Sequence, residues 1–367
     1  MRMLQPYKEI ETLSQLLDDA KTNKGSFVHC AFQNIDFAKV DKDILKLWQF
    51  DDCLFLGCNM RGVSMTISDN CVSLPMLDKP YNMFRSTLYS PHELYATVAE
   101  NAHFDGNVYA HYLNTGKQAE DIGETLARSL HDHSIIDALH DFLSQYDEKN
   151  IVGIMGGHAM LRTDEDFRDI VLMAKGMAES GKLLVSGGGP GAMEATHLGA
   201  WMAGREEKDV DAALKILSVA PSYKDEEWLS SAFDVMRQYP QTKYKSLGIP
   251  TWLYGHEPST PFATHIAKLF ENALREDGLL TIAKGGIVYA PGGAGTMQEI
   301  FQDATQNHYL TCGYASPMVF YGREYWTRTM PVYPLLESLL SSQRYKNLLL
   351  SITDSVDEVI SIIENYY

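Results

Sequence analysis

Residues 287–309 read IVYAPGGAGTMQEIFQDATQNHY. An apolar, strand-like run leads into Pro-Gly-Gly-Ala-Gly-Thr and then into a segment of helical spacing that carries Glu299. Glycines at such a junction let backbone N–H groups crowd an anion, and a helix starting there adds the positive end of its dipole. The stretch therefore reads as a phosphate seat, with a carboxylate one turn into the helix and near whatever sugar the phosphate carries. A plainer reading stays open beside it. Thr296-Met297-Gln298-Glu299 has the spacing of a capping box, in which the two side chains only satisfy N–H groups at a helix start.

Outward from this segment, the chain from Ile151 alternates short apolar runs with longer amphipathic ones, the pattern of an α/β domain with a doubly wound, Rossmann-like parallel sheet. Strands are expected at residues 151–155, 182–186, 216–220, 251–254, 286–290 and 317–321. Thr163 is the expected N-cap of a helix over 164–179, and a second helix is expected from Gly191 to about Met202. The charged run REEKDVD at 205–211 reads as a solvated turn. Val356, Val359, Ile360 and Ile363 predict a final helix that packs back on the sheet.

Residues 1–148 read as an accessory N-terminal α/β domain, with a strand-like CLFLG at 53–57, turn formers around 59–69 and a helical stretch over 119–146. No internal repeat is evident there. The tract DEKN at 147–150 is the expected boundary, leaving 149–367 as the nucleotide-binding domain.

A second glycine loop, SGGGPGAME at 186–194, follows a strand and opens a helix, so a nucleotide can lie across it. Its glycines also suit the bland role of turning a strand tightly into a helix. The dinucleotide fingerprint G-x-G-x-x-G is absent, and neither loop ends in the Gly-Lys of a P-loop. Both loops sit at carboxyl ends of strands, where open α/β sheets bind ligands, and their pairing favours a site.

Together, Gly187-Gly-Gly-Pro-Gly-Ala-Met-Glu194 and Pro291-Gly-Gly-Ala-Gly-Thr-Met-Gln-Glu299 resemble the signature of the LONELY GUY family, long labelled possible lysine decarboxylases. The resemblance covers roughly residues 150 to 367. It implies cleavage of the N-glycosidic bond of nucleoside 5′-monophosphates to free base and ribose 5-phosphate, without a metal or redox cofactor, in a homodimer or higher homo-oligomer. It implies that Glu299 is the catalytic carboxylate and Arg275 its arginine partner. Gly292, Gly293, Gly295 and Thr296 are then the phosphate seat, and Gly187, Gly188, Gly189, Gly191, Met193 and Glu194 the rest of the nucleotide contact. The chain departs from the short members in two respects: no lysine follows Arg275, and some 148 residues precede the matching region.

Each candidate also has a plainer role. Arg275 suits a helix-surface arginine paired with Glu271, and Glu194 a carboxylate that complements a helix dipole. Asp303, one turn beyond Glu299, is either a second site carboxylate or an ordinary hydrogen-bonded helix residue. His158, in the Gly-Gly-His turn after the first strand, either touches the base or faces water. A lysine decarboxylase would want a pyridoxal phosphate Schiff-base lysine, and Lys284 is the nearest candidate.

The composition bounds the partners. Lys and Arg total 31 against 48 Asp and Glu, and a net charge of -17 argues against nucleic acid. No apolar run is long enough to span a membrane, and the expected location is the cytoplasm. Cys30, Cys53, Cys58, Cys71 and Cys312 read as reduced thiols, and the spacings of cysteines and of His131, His133 and His140 fit no compact metal site. The partner expected is a small nucleotide. The rival to hydrolysis is a regulator that keeps the phosphate cleft and does no chemistry.

Overall fold

The computed structural model describes residues 6–95 and 103–366. Two compact units divide the chain: Met1–Leu88 with Ala110–His140, and Tyr89–Tyr109 with Asp141–Tyr367. Residues 89–109 and 141–148, which precede the boundary expected from the sequence, thus group with the second unit.

The second unit is built on seven parallel strands. They are β1 (Ile151–Met155), β2 (Leu183–Ser186), β3 (Ser246–Gly248), β4 (His265–Ile266), β5 (Ile287–Tyr289), β6 (Pro317–Tyr321) and β7 (Leu349–Thr353). Their order across the sheet is β4-β3-β2-β1-β5-β6-β7, and every neighbouring pair is parallel. β1, β5 and β6 are buried at every residue, as continuous apolar runs covered on both faces must be. The chain leaves β1 in one direction and re-enters beside it at β5, so the order reverses between these two strands. That reversal opens a crevice at the carboxyl ends of the strands.

The helices that fix this crevice are α1 (Glu165–Glu179), α2 (Ala192–Met202), α3 (Glu207–Leu217), α4 (Trp228–Gln238), α5 (Asn272–Ile282), α6 (Ala294–Tyr309), α7 (Val332–Ser341) and α8 (Val356–Glu364). α1 packs on α2 and α8 over a core that includes Phe167, Ile170, Leu198, Val359 and Ile363, while α5 pairs with α6. The final helix therefore joins the sheet as its apolar spacing predicts.

Several expectations change. Residues 216–220 form no strand: Ile216 and Leu217 end α3, whose Val210, Ala213 and Leu217 lie at helical spacing and are buried. A short apolar run cannot by itself distinguish a strand from the last turn of a helix. The expected turn at 205–211 contains the start of that helix, where Asp209 accepts a hydrogen bond from Glu206 N. Residues 251–254 hold a 3-10 turn at Trp252–Tyr254, and the strand lies earlier, at Ser246–Gly248 before Pro250. Asp164, not Thr163, occupies the N-cap of α1, and its carboxylate accepts from Leu161 N instead of capping the helix.

The first unit contains a repeat that its sequence disguises. Strands Lys8–Ile10, Cys30–Gln33, Leu54–Leu56 and Val72–Leu74 form one parallel sheet, and Ser26–Val28, Gln49–Asp51 and Thr66–Ile67 another. Ala31 pairs with Leu54 and Ser26 with Gln49, the same step of 23 residues. This is a short parallel solenoid. Phe27 stacks on Phe50 at 5.1 Å and Phe32 on Phe55 at 5.2 Å, so successive coils place like residues above one another. His29 and Asp52, also 23 apart, both adopt the left-handed backbone that turns one sheet into the other. Cys30, Cys53 and Cys71 precede or start equivalent strands, and all five cysteines are free thiols.

Elsewhere in that unit, buried Glu124 accepts from Tyr81 Oη, Arg128 Nε and Lys79 Nζ and pairs with His111. Burial alone would raise its pKa, and the donors overcome this and hold it down at about 2.

Candidate active site

Three loops meet at the carboxyl ends of the central strands: Gly156–His158 after β1, Gly187–Gly191 after β2 and Pro291–Gly293 after β5. They interlock through backbone. Gly157 N donates to Pro291 O at 3.0 Å, and Ala192 N to Gly157 O at 3.0 Å. A β-carbon on Gly191, whose φ is +69°, would lie 2.3 Å from Gly157 O, and one on Gly292 would lie 2.2 Å from Thr296 Oγ1. No side chain fits at either point, which is why glycines hold them. Gly188 is pressed in the same way against Pro250.

Gly293 is the N-cap of α6, and the helix begins at Ala294. Its first backbone bond runs from Met297 N to Gly293 O, so the N–H groups of Ala294, Gly295 and Thr296 have no acceptor within the helix. Thr296 is thus the third helical residue and makes no capping bond, and the capping-box role proposed for Thr296 and Glu299 is not realised. A β-carbon on Gly293 or Gly295 would meet no atom within 4 Å. Packing within the chain does not demand these two glycines. The space beside them is open to a molecule from outside the chain.

Glu299 lies one turn further along α6 and is only 7% exposed. Burial pushes its carboxyl from the ordinary 4.5 up to about 7, against the pull of Arg275 and with a further push from Glu276. Arg275, on α5, holds Nη1 at 3.9 Å from Glu299 Oε1 and 2.7 Å from Glu276 Oε1, and donates from Nε to Ile249 O. Its side chain is 13% exposed. It therefore does not lie on the helix surface beside Glu271, which instead caps α5 by accepting from Ala273 N. Arg275 Nη2 rests on the other glycine loop, 2.2 Å from where a β-carbon of Gly187 would stand. Met193 packs against Gly187 and Gly189.

Three further candidates have other partners. Glu194 is buried in an ion pair with Arg162, whose guanidinium also donates to Ser231 Oγ, Ala220 O and Trp228 O. We expect Glu194→Ala to cost about 3–5 kcal/mol of stability in urea unfolding, since it strands a buried cation. A residue that only touched ligand would leave stability within about 0.5 kcal/mol. Asp303 accepts from Tyr289 Oη at 2.7 Å and from Asn307 Nδ2, as a hydrogen-bonded helix residue does. Burial pushes its carboxyl up to about 7. Lys284 is paired with Glu148 at 2.6 Å.

Several neighbours carried no signal in the sequence. Tyr325, in a π-helical turn at Tyr325–Thr329, donates to Gly292 O at 2.8 Å and ties down the loop after β5. Glu257 lies 3.8 Å from His158 Nε2 at the rim, near Gly189. Glu276 was visible only as the residue that stands where the short family members have lysine.

Residues 234–363, which include the glycine loop after β5, match the family model described as possible lysine decarboxylase, which bears out the resemblance drawn from the two loops together. No curated protein matches the chain. Among solved structures, the chain is similar to the molybdenum cofactor binding protein from the phototrophic bacterium Rippkaea orientalis, at 14% identity and a TM-score of 0.37, over 58% of this chain and 94% of that one. It is also similar to the molybdenum cofactor carrier protein of Chlamydomonas reinhardtii, at 16% identity and a TM-score of 0.37, over 59% of this chain and 96% of that one. Among the described residues, no helix is long and apolar enough to cross a membrane.

Proposed function

We propose that the chain hydrolyses the N-glycosidic bond of nucleoside 5′-monophosphates, releasing free base and ribose 5-phosphate. The observation that carries this reading is the placement of a buried carboxyl, Glu299, one turn inside a helix whose first N–H groups are unpaired, with Arg275 spanning from it to the opposite glycine loop. The phosphate sits on the N–H groups at the start of α6 and meets Arg275, which brings the ribose over Glu299.

Breaking the bond develops an oxocarbenium-like cation at the anomeric carbon. Ionised Glu299, in a site shielded from water, stabilises that cation and takes a proton from the attacking water. The electron pair of the C–N bond leaves with the base, which takes up a proton. Binding energy from the phosphate, remote from the reacting carbon, is spent on orientation. As in the family, the enzyme is a cytoplasmic homo-oligomer that uses no metal or redox cofactor.

The test is a panel of purine and pyrimidine nucleoside monophosphates, each with its nucleoside, followed by chromatography for free base and ribose 5-phosphate. We expect release from at least one monophosphate, with kcat/KM lower by about 100-fold or more for the nucleoside. Binding without release from any nucleotide would overturn hydrolysis in favour of a regulator that reads nucleotides.

A further inference from the structure

Where the short family members carry lysine, Glu276 follows Arg275, and the two side chains are ion-paired at 2.7 Å with only 12–13% exposure. The pair has an unusual balance. Glu276 Oε1 takes Arg275 Nη1 and a bond from Asn272 Nδ2, while Glu276 Oε2 is buried with no hydrogen-bond partner. A buried, half-satisfied carboxylate is costly and calls for a compensating role. On the other side of the guanidinium, the same Nη1 stays 3.9 Å from Glu299, beyond hydrogen-bond reach. Nε is tied to Ile249 O, and Nη2 lies against Gly187 with no hydrogen-bond partner among the described residues.

We propose that Glu276 is a positioning residue: it holds Arg275 Nη1, so that the guanidinium turns its unpartnered Nη2 edge to the glycine loop and leaves the Glu299 carboxyl without a closely bound cation. The anionic substrate then meets a preset Nη2 donor, and Glu299 is not neutralised by its neighbour beforehand. This rests on the hydrolase reading for its purpose, but the arrangement itself does not.

The charged or titratable groups facing Glu299 are Arg275 and Glu276 from α5 and Tyr289 from β5, with Asp303 a turn further along its own helix. Removing the Glu276 charge frees Arg275 to close on Glu299 and deletes a repelling anion. Both changes favour the ionised carboxylate.

The test is a carbon-13 NMR titration of glutamate side-chain carboxyls in the intact chain, with Glu299 assigned by the loss of its signal in Glu299→Gln. We expect the wild-type midpoint near 7 to fall by about one pH unit or more in Glu276→Gln. Glu276→Asp, which keeps the charge, holds it near the wild-type value. Glu276→Ala gives the same fall as the Gln variant and serves if that variant does not fold. An unmoved midpoint in a folded Gln or Ala variant overturns the proposal. If base release is observed, the acid limb of kcat/KM moves down with the midpoint. If no nucleotide is cleaved, the hydrolase reading fails while the titration still decides the role of Glu276.

Discussion

Glu299→Gln is expected to lower base release from nucleoside monophosphates by about 10²–10⁴-fold, and to make the fold more stable at alkaline pH. The first effect follows from the proposed function, in which the buried carboxylate of Glu299 on α6 faces the ribose. Wild-type kcat/KM should rise with pH through a limb near 7, as the buried carboxyl ionises, and that limb should be missing in the variant. The second effect follows from linkage. The folded-state pKa lies above the ordinary 4.5, so folding favours the protonated form. The resulting stabilisation is complete below pH 4.5 and is lost as pH rises through about 7. Above that, wild type must hold a buried anion. Gln holds none, and thermal unfolding at pH 8 should show a gain of up to about 3 kcal/mol. Unchanged turnover in the Gln variant would remove Glu299 from the chemistry, and an unchanged melting temperature at pH 8 would show that the carboxylate is not strained by burial.

Gly187→Ala is expected to cost about 100-fold in kcat/KM while leaving stability within about 1 kcal/mol. The new β-carbon would stand 2.2 Å from Arg275 Nη2 and 2.6 Å from Met193 Sδ. Both are ends of flexible side chains, and the backbone at Gly187 is not left-handed, so the fold can accommodate alanine. What it cannot keep is the guanidinium in its present place. Because the damage passes through Arg275, Gly187→Ala should add little to the loss already present in Arg275→Ala. Full additivity of the two losses in a double-mutant cycle would show that Gly187 acts independently of Arg275.

The parts of the fold that sequence exposes are those where one period dominates. The apolar runs of β1, β5 and β6 and the amphipathic spacing of α8 are uninterrupted, and both glycine loops sit where a run changes period. β3 and β4 span three and two residues, too short to show any period. Thr296 and Glu299 look like a capping box in one dimension. The helix starts two residues ahead of Thr296, at Ala294, an offset that leaves no mark in the spacing. The solenoid is harder still. Its steps are 22 residues from Lys8 to Cys30, 23 from Ala31 to Leu54 and 18 from Leu54 to Val72, so no fixed period holds across the coils. The ion pair of Arg162 with Glu194 was equally hidden, because pairing across elements leaves no trace in spacing, and that of Arg275 with Glu276 because adjacent residues on a helix do not ordinarily face each other.

That solenoid also bears on how the gene can change. Phe27 and Phe32 stack on Phe50 and Phe55 one 23-residue step away, so an in-frame duplication of 23 codons spanning Phe27 to Gln49 would supply a coil whose rings match those of its neighbours. Length variation in this part of the chain should therefore come in whole coils, and a lengthened protein should fold with one more rung.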